Sequence, residues 1–383
     1  MSTLYPNVSQ PVVFNVSSQI NIQLNNFMRT FCIISQGSTN IEINTIQNVS
    51  PATLSSILKE TTTETTSEFS KSIQGYFNYS GNRSVNVLEL GQVSETTTLQ
   101  TQATQLDTII KSGLNRSYMY LIPQSFYVEN SPIVSIMQEY IKETSAQYFM
   151  ISTTADVTTD AVATQFKNLK SCFLVYDNSD TSQNINLAGS IMGILASNKF
   201  DISGNNKASP LNFKILQGFK FNPINRVLLN KLTQYPANFV FNEVGYATIG
   251  NGRYTNGDAW DYWYQWDLTQ LALQQKITQL LINGVNNPVN VIRFDQQGID
   301  IINASVKSTL SEYIQLGCIN TYAMALNPAN NTLIGLNNIN TIDFNTYISQ
   351  YPDKYQNEIY DGISFYVLIN RYIRQCILNI TLN

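Results

Sequence analysis

The sequence predicts an α/β fold: α/β sandwich-type domains with mixed sheets, and an extended β-strand arm at each terminus. Apolar strand-like runs alternate with helical stripes through residues 118–196, and two long helical stripes follow towards the carboxyl terminus. Both termini alternate apolar and polar residues at every second position. Strand–helix alternation is typical of α/β layers, and a period of two is typical of half-buried strands.

The two terminal segments, residues 1–25 and 361–383, are predicted to form the arms. The amino-terminal alternation has apolar residues at Val12, Phe14, Val16, Ile20, Ile22 and Leu24, and the carboxyl-terminal alternation has them at Cys376, Leu378, Ile380 and Leu382. No hairpin turn places a partner strand nearby, so each must pair with something distant. Either both arms close the chain's own sheet, or they add strands to a sheet of another molecule.

The next elements are short. Phe31–Gln36 is an apolar run that predicts a strand ending at Gly37. Apolar residues at helical spacing over 69–77 predict a helix, and Val85–Leu90 predicts a second strand. The polar stretch 94–105 predicts a loop or the start of a helix.

The middle of the chain predicts a largely parallel sheet. Strands are expected at 118–126, 148–152 and 172–176, and helices after Pro132, at 159–169 and at 187–196. Gly189 and Gly193 would let the last helix pack closely on the sheet. The phosphate-binding patterns GxGxxG and GxxxxGK[ST] are missing, which disfavours a nucleotide site.

The last third has a different texture. Strands are expected at 213–219 and 239–248, and helices at 225–235, 266–282 and 299–316, with Val227, Leu228 and Leu232 buried in the first of these helices. Gly317 is placed to end the last helix, and the glycine-rich stretch 245–257 predicts a turn or hairpin. We divide the chain into an arm (1–25), an alternating α/β region (26–205), an inner domain (206–360) and a second arm (361–383).

Three tryptophans stand out between residues 260 and 266. Trp260, Trp263 and Trp266 predict either core and interface packing or, with Asp258, Asp261 and Asp267 as carboxylates, a sugar-binding platform. A carbohydrate-binding or carbohydrate-active protein therefore stays an alternative to a structural protein.

Composition narrows the classes of function. Charged residues make up 13% of the chain, against roughly 25% in typical proteins, and the net charge is −4. No nucleic-acid partner is expected from this balance. The sequence contains no histidine, which excludes Ser-His-Asp and Cys-His triads and histidine-ligated metal sites. We therefore expect no catalytic site, no metal and no cofactor.

The four cysteines are far apart and form no CxxC pair: Cys32, Cys172, Cys318 and Cys376. Buried free thiols are expected, as in a protein of the reducing cytoplasm. No stretch has the length of a membrane span or the composition of a signal peptide, so no membrane insertion is expected.

The order of elements resembles that of contractile-tail sheath proteins, especially the shorter phage sheaths of the DUF3383 type. The resemblance covers the greater part of the chain. It rests on the strand 213–219, a helix with Asn225 and Leu232, the strand near 238–245, a turn with Asn256, Gly257 and Asp258, Trp266-Asp267-Leu268 at a helix start, Asp295 and Gly298 before a long helix that ends at Gly317-Cys318-Ile319, and the closing strand Cys376–Leu382. In the family the tryptophan run is closer to Asp-Trp-Leu, so the order here departs from its pattern.

The resemblance implies a structural, non-enzymatic subunit of a virion tail, assembled in the host cytoplasm. Such subunits form hexameric rings that stack into a helical sleeve, whose contraction drives the tail tube through the host envelope. The implied partners are further copies of the chain, the tail tube protein, and the baseplate and tail terminator proteins. The arms would add strands to neighbouring subunits. A tail tube or baseplate structural protein is the alternative within the same class.

Overall fold

The computed structural model describes residues 27–59, 67–113, 116–142, 147–155, 157, 161–197, 210–286, 291–320, 325–326, 333–334, 339–365, 367 and 369–371. Both terminal alternations lie outside these residues. The described part contains a mixed eight-stranded sheet, which agrees with the predicted α/β class. Its strands are β1 (Phe31–Ser35), β2 (Ile46–Val49), β3 (Val85–Glu89), β4 (Met119–Ile122), β5 (Tyr148–Thr153), β6 (Cys172–Tyr176), β7 (Ala237–Glu243) and β8 (Tyr246–Gly250).

The sheet has the order β2-β3-β1-β4-β5-β6-β7-β8. The six central strands are mutually parallel, and β2 and β8 pair antiparallel with β3 and β7 at the two edges. Every residue of β1, β4 and β5 is buried, because helices cover both faces of the sheet. This explains why these strands appear in the sequence as continuous apolar runs.

Helices pack on both faces and make a three-layer sandwich. Two continuous clusters of buried residues, one on each face, contain the core of the described residues. The first face carries α2 (Glu68–Ser80), α6 (Leu187–Ser197) and α8 (Trp260–Asn286), and the second carries α3 (Leu99–Ser112), α4 (Ile133–Lys142), α5 (Ala161–Phe166) and α7 (Arg226–Gln234). The short α1 (Leu54–Ile57) precedes α2, and α9 (Gln296–Gln315) packs against α8.

The helices begin where the sequence supplies a capping side chain. The side-chain oxygens of Thr98, Asn225 and Asp295 accept hydrogen bonds from the backbone N–H groups three residues later, at the starts of α3, α7 and α9. The Gly317 backbone follows α9 with a φ of 72°, as the sequence predicted for its end.

Gly189 and Gly193 permit a close helix–helix contact. A Cβ on Gly189 would lie 2.0 Å from the Ser72 carbonyl oxygen, and one on Gly193 would lie 2.4 Å from that of Tyr76. The sequence predicted this close contact against the sheet. The closest approach is instead to helix α2, because α6 and α2 cross backbone against backbone on the same face.

Several predicted elements of the last third are wrong in detail. Residues 213–219 form no strand: Phe213 has a φ of 64°, and the segment contributes only an isolated bridge from Ile215 to Thr248. The predicted strand 239–248 is a hairpin of β7 and β8, which turns at Val244 and Gly245 with φ angles of 52° and 85°. Both positive φ angles suit the tight turn that joins antiparallel strands.

Three further boundaries differ. The strand predicted to reach Phe126 ends at Ile122, and a 3₁₀ turn, Gln124–Phe126, follows Pro123. The helix predicted from Trp266 begins six residues earlier, so all three tryptophans lie on α8. Val227, predicted to be buried, is 66% exposed because it lies on the outer side of α7.

The described carboxyl-terminal part is built from short elements. They are β9 (Ala325–Leu326), β10 (Leu333–Ile334), β11 (Asn340–Thr341), α10 (Phe344–Gln350), α11 (Pro352–Gln356) and β12 (Ile363–Ser364). β9 pairs with β10, and β11 with β12. The proposed division at residue 205 stays a prediction. Strands β1–β6 precede it and β7–β8 follow it in one sheet.

Candidate assembly site

The tryptophan run starts helix α8 and packs inward. Trp260 is fully buried, and its ring centroid lies 4.8 Å from that of Tyr264. The Trp263 indole donates a hydrogen bond to a carboxylate oxygen of Asp258 at 3.1 Å, and the ammonium of Lys170 lies 3.6 Å from the Trp263 ring centroid. Trp266 is half-buried against the core. A sugar platform needs exposed ring faces, and the first of these rings has none.

Asp267, directly after Trp266, joins α8 to the sheet. The hydroxyls of Tyr118 and Tyr148 donate to the same carboxylate oxygen, Oδ2, at 2.9 and 2.6 Å. Burial raises the pKa of Asp267 to about 6, although the two tyrosine hydrogen bonds and the charge of Lys170 act in the opposite direction. The sequence allowed Asp267 to be a carboxylate of a carbohydrate site. In the structure its carboxylate is buried and hydrogen-bonded to two tyrosines.

The two tyrosines were missed in the sequence. Tyr118 immediately precedes β4 and Tyr148 opens β5, so both lie at the amino edge of neighbouring parallel strands. One signal in the sequence could have indicated them, because each tyrosine begins one of two consecutive predicted strands. Burial raises the pKa of both phenols well above the ordinary value, which keeps them protonated as donors.

The predicted arm begins at residue 361, but its described residues up to 371 pair within the chain: β12 pairs with β11, and Ile369 forms an isolated bridge with Ile319. The chain then lies beside this helix start at Asn370 and Arg371. The Asn370 side chain donates to the carbonyl oxygen of Gly317 at 2.6 Å, and its backbone N–H donates to that of Cys318 at 2.9 Å. The Arg371 guanidinium lies 4.3 Å from the Tyr262 ring centroid and 4.0 Å from an Asp258 carboxylate oxygen. These contacts fix the chain at the last residues before the predicted arm strand.

The sheet has two unlike edges. The β8 edge is already occupied, because Phe213 and Leu216 donate backbone hydrogen bonds to Ile249 and Ala247, and Ile249 donates one back to Lys214. At the other edge, β2 pairs on one side with β3, and no described residue pairs as a strand with its outer side. An unpaired edge is the kind of surface to which an extended segment can add.

The position where nucleotide-binding sheets hold their ligand is nearly filled. In this sheet that position is the carboxyl end of β1, which is flanked by β3 on one side and β4 on the other. A pocket of about 130 Å³ lies there and includes the Glu68 side chain. The backbone N–H of Gln124 donates to that carboxylate at 2.9 Å. A small pocket lined by a carboxylate does not suit a phosphate.

The sequence predicted no metal, no cofactor and no membrane insertion. Within the described ranges, no group of three or more histidine, cysteine, aspartate or glutamate side chains is arranged to hold a metal ion. No described helix combines the length and apolarity needed to cross a membrane. Cys32, Cys172 and Cys318 are buried and form no disulfide, as predicted, whereas Cys376 lies outside the described residues.

The predicted arm residues cannot be placed, because they too lie outside the described residues: Val12, Phe14, Val16, Ile20, Ile22, Leu378, Ile380 and Leu382. The arm strands therefore stay predictions.

Comparison with known proteins gives the class of the fold. No protein-family model and no curated protein matches the sequence. Among solved structures, a chain from the cryo-electron microscopy structure of the anti-feeding prophage baseplate, six-fold symmetrised, matches with a TM-score of 0.64 and 11% identity. The match covers 98% of this chain and 99% of that one.

Two crystal structures of sheath tail proteins match as well. The protein from Listeria innocua gives a TM-score of 0.53 at 7% identity, over 79% of this chain and 90% of that one. The protein from Desulfitobacterium hafniense gives 0.53 at 6% identity, over 81% and 91%. The chain therefore has a sheath-like fold. It shares that fold with structural proteins of tails and with a chain of the anti-feeding prophage baseplate.

Proposed function

We propose that this chain is the sheath subunit of a contractile tail, close to the shorter phage sheaths of the DUF3383 type. Copies assemble into hexameric rings, and the rings stack into a helical sleeve around a tail tube. Contraction of the sleeve drives the tube through the host envelope. The observation that carries the proposal is the match over 98% of the chain to a chain of a six-fold symmetrised baseplate, together with two sheath tail proteins.

The two arms link neighbouring subunits in this proposal. The carboxyl-terminal arm departs from the anchor at Asn370 and Arg371, and an unpaired edge such as that of β2 receives a strand from a neighbour. Head-to-tail contacts that do not close on themselves generate helical assemblies. The contacts of Asn370 and Arg371 hold the start of the arm on its own subunit, while the arm strand stays paired to another copy during contraction.

The remaining partners follow from this role. The subunit binds the tail tube protein inside the sleeve, and the baseplate and tail terminator proteins at its ends. It is located in the virion tail and assembles in the host cytoplasm. Its function is mechanical, without catalysis, cofactor, nucleic-acid binding or membrane insertion.

Deletion of residues 376–383 tests the proposal. The arm strand contributes several backbone hydrogen bonds, each worth about 1 kcal/mol net, and buries three side chains at about 1.5–3 kcal/mol each. We expect a soluble subunit with an unchanged melting temperature that forms no sleeves in negative-stain images. A destabilised monomer, or normal sleeves, would contradict the arm assignment.

The period of two in the arm supplies a matched control. Serine at Leu378, Ile380 and Leu382 should abolish sleeves. Serine at Asn379, Thr381 and Asn383 should leave them intact, because alternate side chains of the proposed strand lie on opposite faces. Equal effects of the two triple variants would show that the segment does not act as a strand with one buried face.

A baseplate structural component is the second candidate, since the structure matched over 98% of this chain is that of a baseplate. A sheath subunit forms long sleeves of many rings from purified protein. A baseplate component would form at most a single ring, and electron microscopy of the wild-type protein distinguishes the two.

A further inference from the structure

Two arginines face one pocket at the amino edge of the sheet. Arg29 lies just before β1, and Arg83 lies in the turn between α2 and β3. They line an open pocket of about 330 Å³ together with Thr30, Asn48, Ser84 and Asn86. Among the residues that the structure describes, no aspartate or glutamate lines it. In a chain with only 22 lysines and arginines, two guanidiniums share this pocket without a counter-charge.

The guanidinium of Arg29 has unsatisfied donors. Its Nε and Nη2 atoms are buried and make no hydrogen bond. Burial lowers the pKa of Arg29 from its ordinary value, and the facing charge of Arg83 lowers it further. The other groups that face Arg29 are the phenols of Tyr76 and Tyr264, whose pKa values are themselves raised by burial. Buried donors without acceptors and facing like charges both cost stability, unless a ligand compensates them.

The side-chain amides that line the pocket already donate hydrogen bonds to other side chains. The Asn48 side chain donates to Asn86 at 3.0 Å, and the Asn86 side chain donates to Ser117 at 3.0 Å. The guanidiniums are therefore its main free donors among the described groups. Their planar forks suit a carboxylate, which accepts two parallel hydrogen bonds.

The segment that precedes Arg29 in the sequence offers no such group. Residues 1–26, which lead directly to this site, contain no aspartate and no glutamate. Another copy of the chain offers many carboxylates, because the sequence contains 26 aspartates and glutamates.

We propose that the pocket between Arg29 and Arg83 binds a carboxylate, which an acidic side chain of a second copy of this chain supplies on assembly. Only the source of the carboxylate rests on the proposed sheath function. Binding of a carboxylate by the pocket requires only one subunit, so it can be measured on the unassembled protein.

Binding is tested on the unassembled protein with glutarate as the probe. We expect saturable binding in a calorimetric titration at pH 7, against chloride at equal ionic strength. Arg83→Gln should raise the apparent dissociation constant at least tenfold. Arg226→Gln, an exposed arginine at the start of α7, should leave it within twofold. Absence of glutarate binding by the wild type, or equal binding by Arg83→Gln, would overturn the proposal whatever the sleeves do.

The melting temperature separates ligand binding from a structural role. Without glutarate, Arg83→Gln should melt at or above the wild-type temperature, because the substitution removes a facing like charge. A purely structural arginine would instead lower the melting temperature when lost. A marked drop for both Arg83→Gln and Arg29→Gln would overturn the proposal.

Assembly tests the source of the carboxylate. Glutarate in excess should suppress sleeve formation by the wild type at least fivefold, and Arg83→Gln should suppress it similarly without glutarate. If Arg83→Gln binds no glutarate but forms normal sleeves, the assignment of the carboxylate to a second copy is wrong. If the wild type forms no sleeves, the proposed function fails, while the glutarate titration still decides the binding site.

Discussion

Glu89 and Asp267 are two buried carboxylates at opposite ends of the parallel strands, and their pKa values shift in opposite directions. Glu89 ends β3 at the carboxyl edge, whereas Asp267 reaches from α8 to the amino ends of β4 and β5. Burial acts to raise both pKa values. For Glu89 the hydrogen bonds outweigh burial and hold the pKa below its ordinary value, whereas for Asp267 burial dominates.

The difference follows from the number and placement of the donors. Both oxygens of Glu89 are used: Oε1 accepts from the backbone N–H groups of Gly37 and Gly91, and Oε2 accepts from the hydroxyls of Ser35 and Thr39 and from the Thr39 N–H. Asp267 accepts two tyrosine hydroxyls on a single oxygen. Burial alone therefore does not fix the charge state of a carboxylate, because the count of donors decides whether its ionised form is stable.

The largest effect is expected at Glu89. Glu89→Gln must turn its NH₂ group towards one of the two sets of donors, so at least two buried donors lose their acceptor. We expect the free energy of unfolding to fall by about 4 kcal/mol. Glu42→Gln, at an exposed carboxylate in the loop between β1 and β2, should change it by less than about 0.5 kcal/mol. Chemical denaturation at pH 7 measures both, and a loss below about 1 kcal/mol at Glu89 would contradict this account.

The fold was largely predictable where strands are buried on both faces. β6 was predicted at its observed bounds, and helix α6 within one residue, because an apolar run between turn residues leaves few alternatives. The hairpin of β7 and β8 was not predictable. Its turn has a β-branched residue, Val244, at a positive φ, which local preference disfavours. Phe213 also adopts a positive φ, and no strand forms over 213–219, where the sequence pattern predicted one.

The candidate site was predictable only in part. The tryptophan run was visible as a local cluster, but the bonds from Tyr118 and Tyr148 to Asp267 span 149 and 119 residues of sequence. The Arg29–Arg83 pocket likewise depends on the pairing of β1 with β3. Local periodicity predicts that strands exist, but the sheet order that brings their ends together is decided by tertiary packing.

The stability of the fold should depend on pH through Asp267 and Glu89. The pKa of Asp267 is raised from 3.8 to about 6, so the folded state holds this proton more tightly than the unfolded state. Its contribution to stability is complete below pH 3.8 and is lost as the pH rises towards 6. Glu89 behaves oppositely: its contribution is present above its ordinary pKa of 4.5 and is lost in stronger acid.

Asp267→Asn isolates this contribution. The asparagine oxygen can occupy the position of Oδ2 and keep both tyrosine hydrogen bonds, so the loss at pH 7 should be below about 1 kcal/mol. Relative to this variant, the wild type should gain about 2.5 kcal/mol as the pH falls from about 7 to 4. Denaturation curves across that range measure the difference. A constant difference would mean that Asp267 has the same pKa in both states.

The smallest effect is expected from single tyrosine hydroxyls. Tyr148→Phe removes the shorter of the two hydrogen bonds to Asp267, 2.6 Å against 2.9 Å for Tyr118. At pH 7, where the carboxylate is ionised, we expect a loss of about 1.5 kcal/mol in the free energy of unfolding, and a somewhat smaller loss for Tyr118→Phe. At about pH 4 the carboxyl is protonated in the folded state and the loss should shrink to about 0.5 kcal/mol. Tyr246→Phe, at a tyrosine that is 57% exposed, should have no effect at either pH. Equal losses for Tyr148→Phe at both pH values would show that the hydroxyl contributes through packing and not through the charge of Asp267.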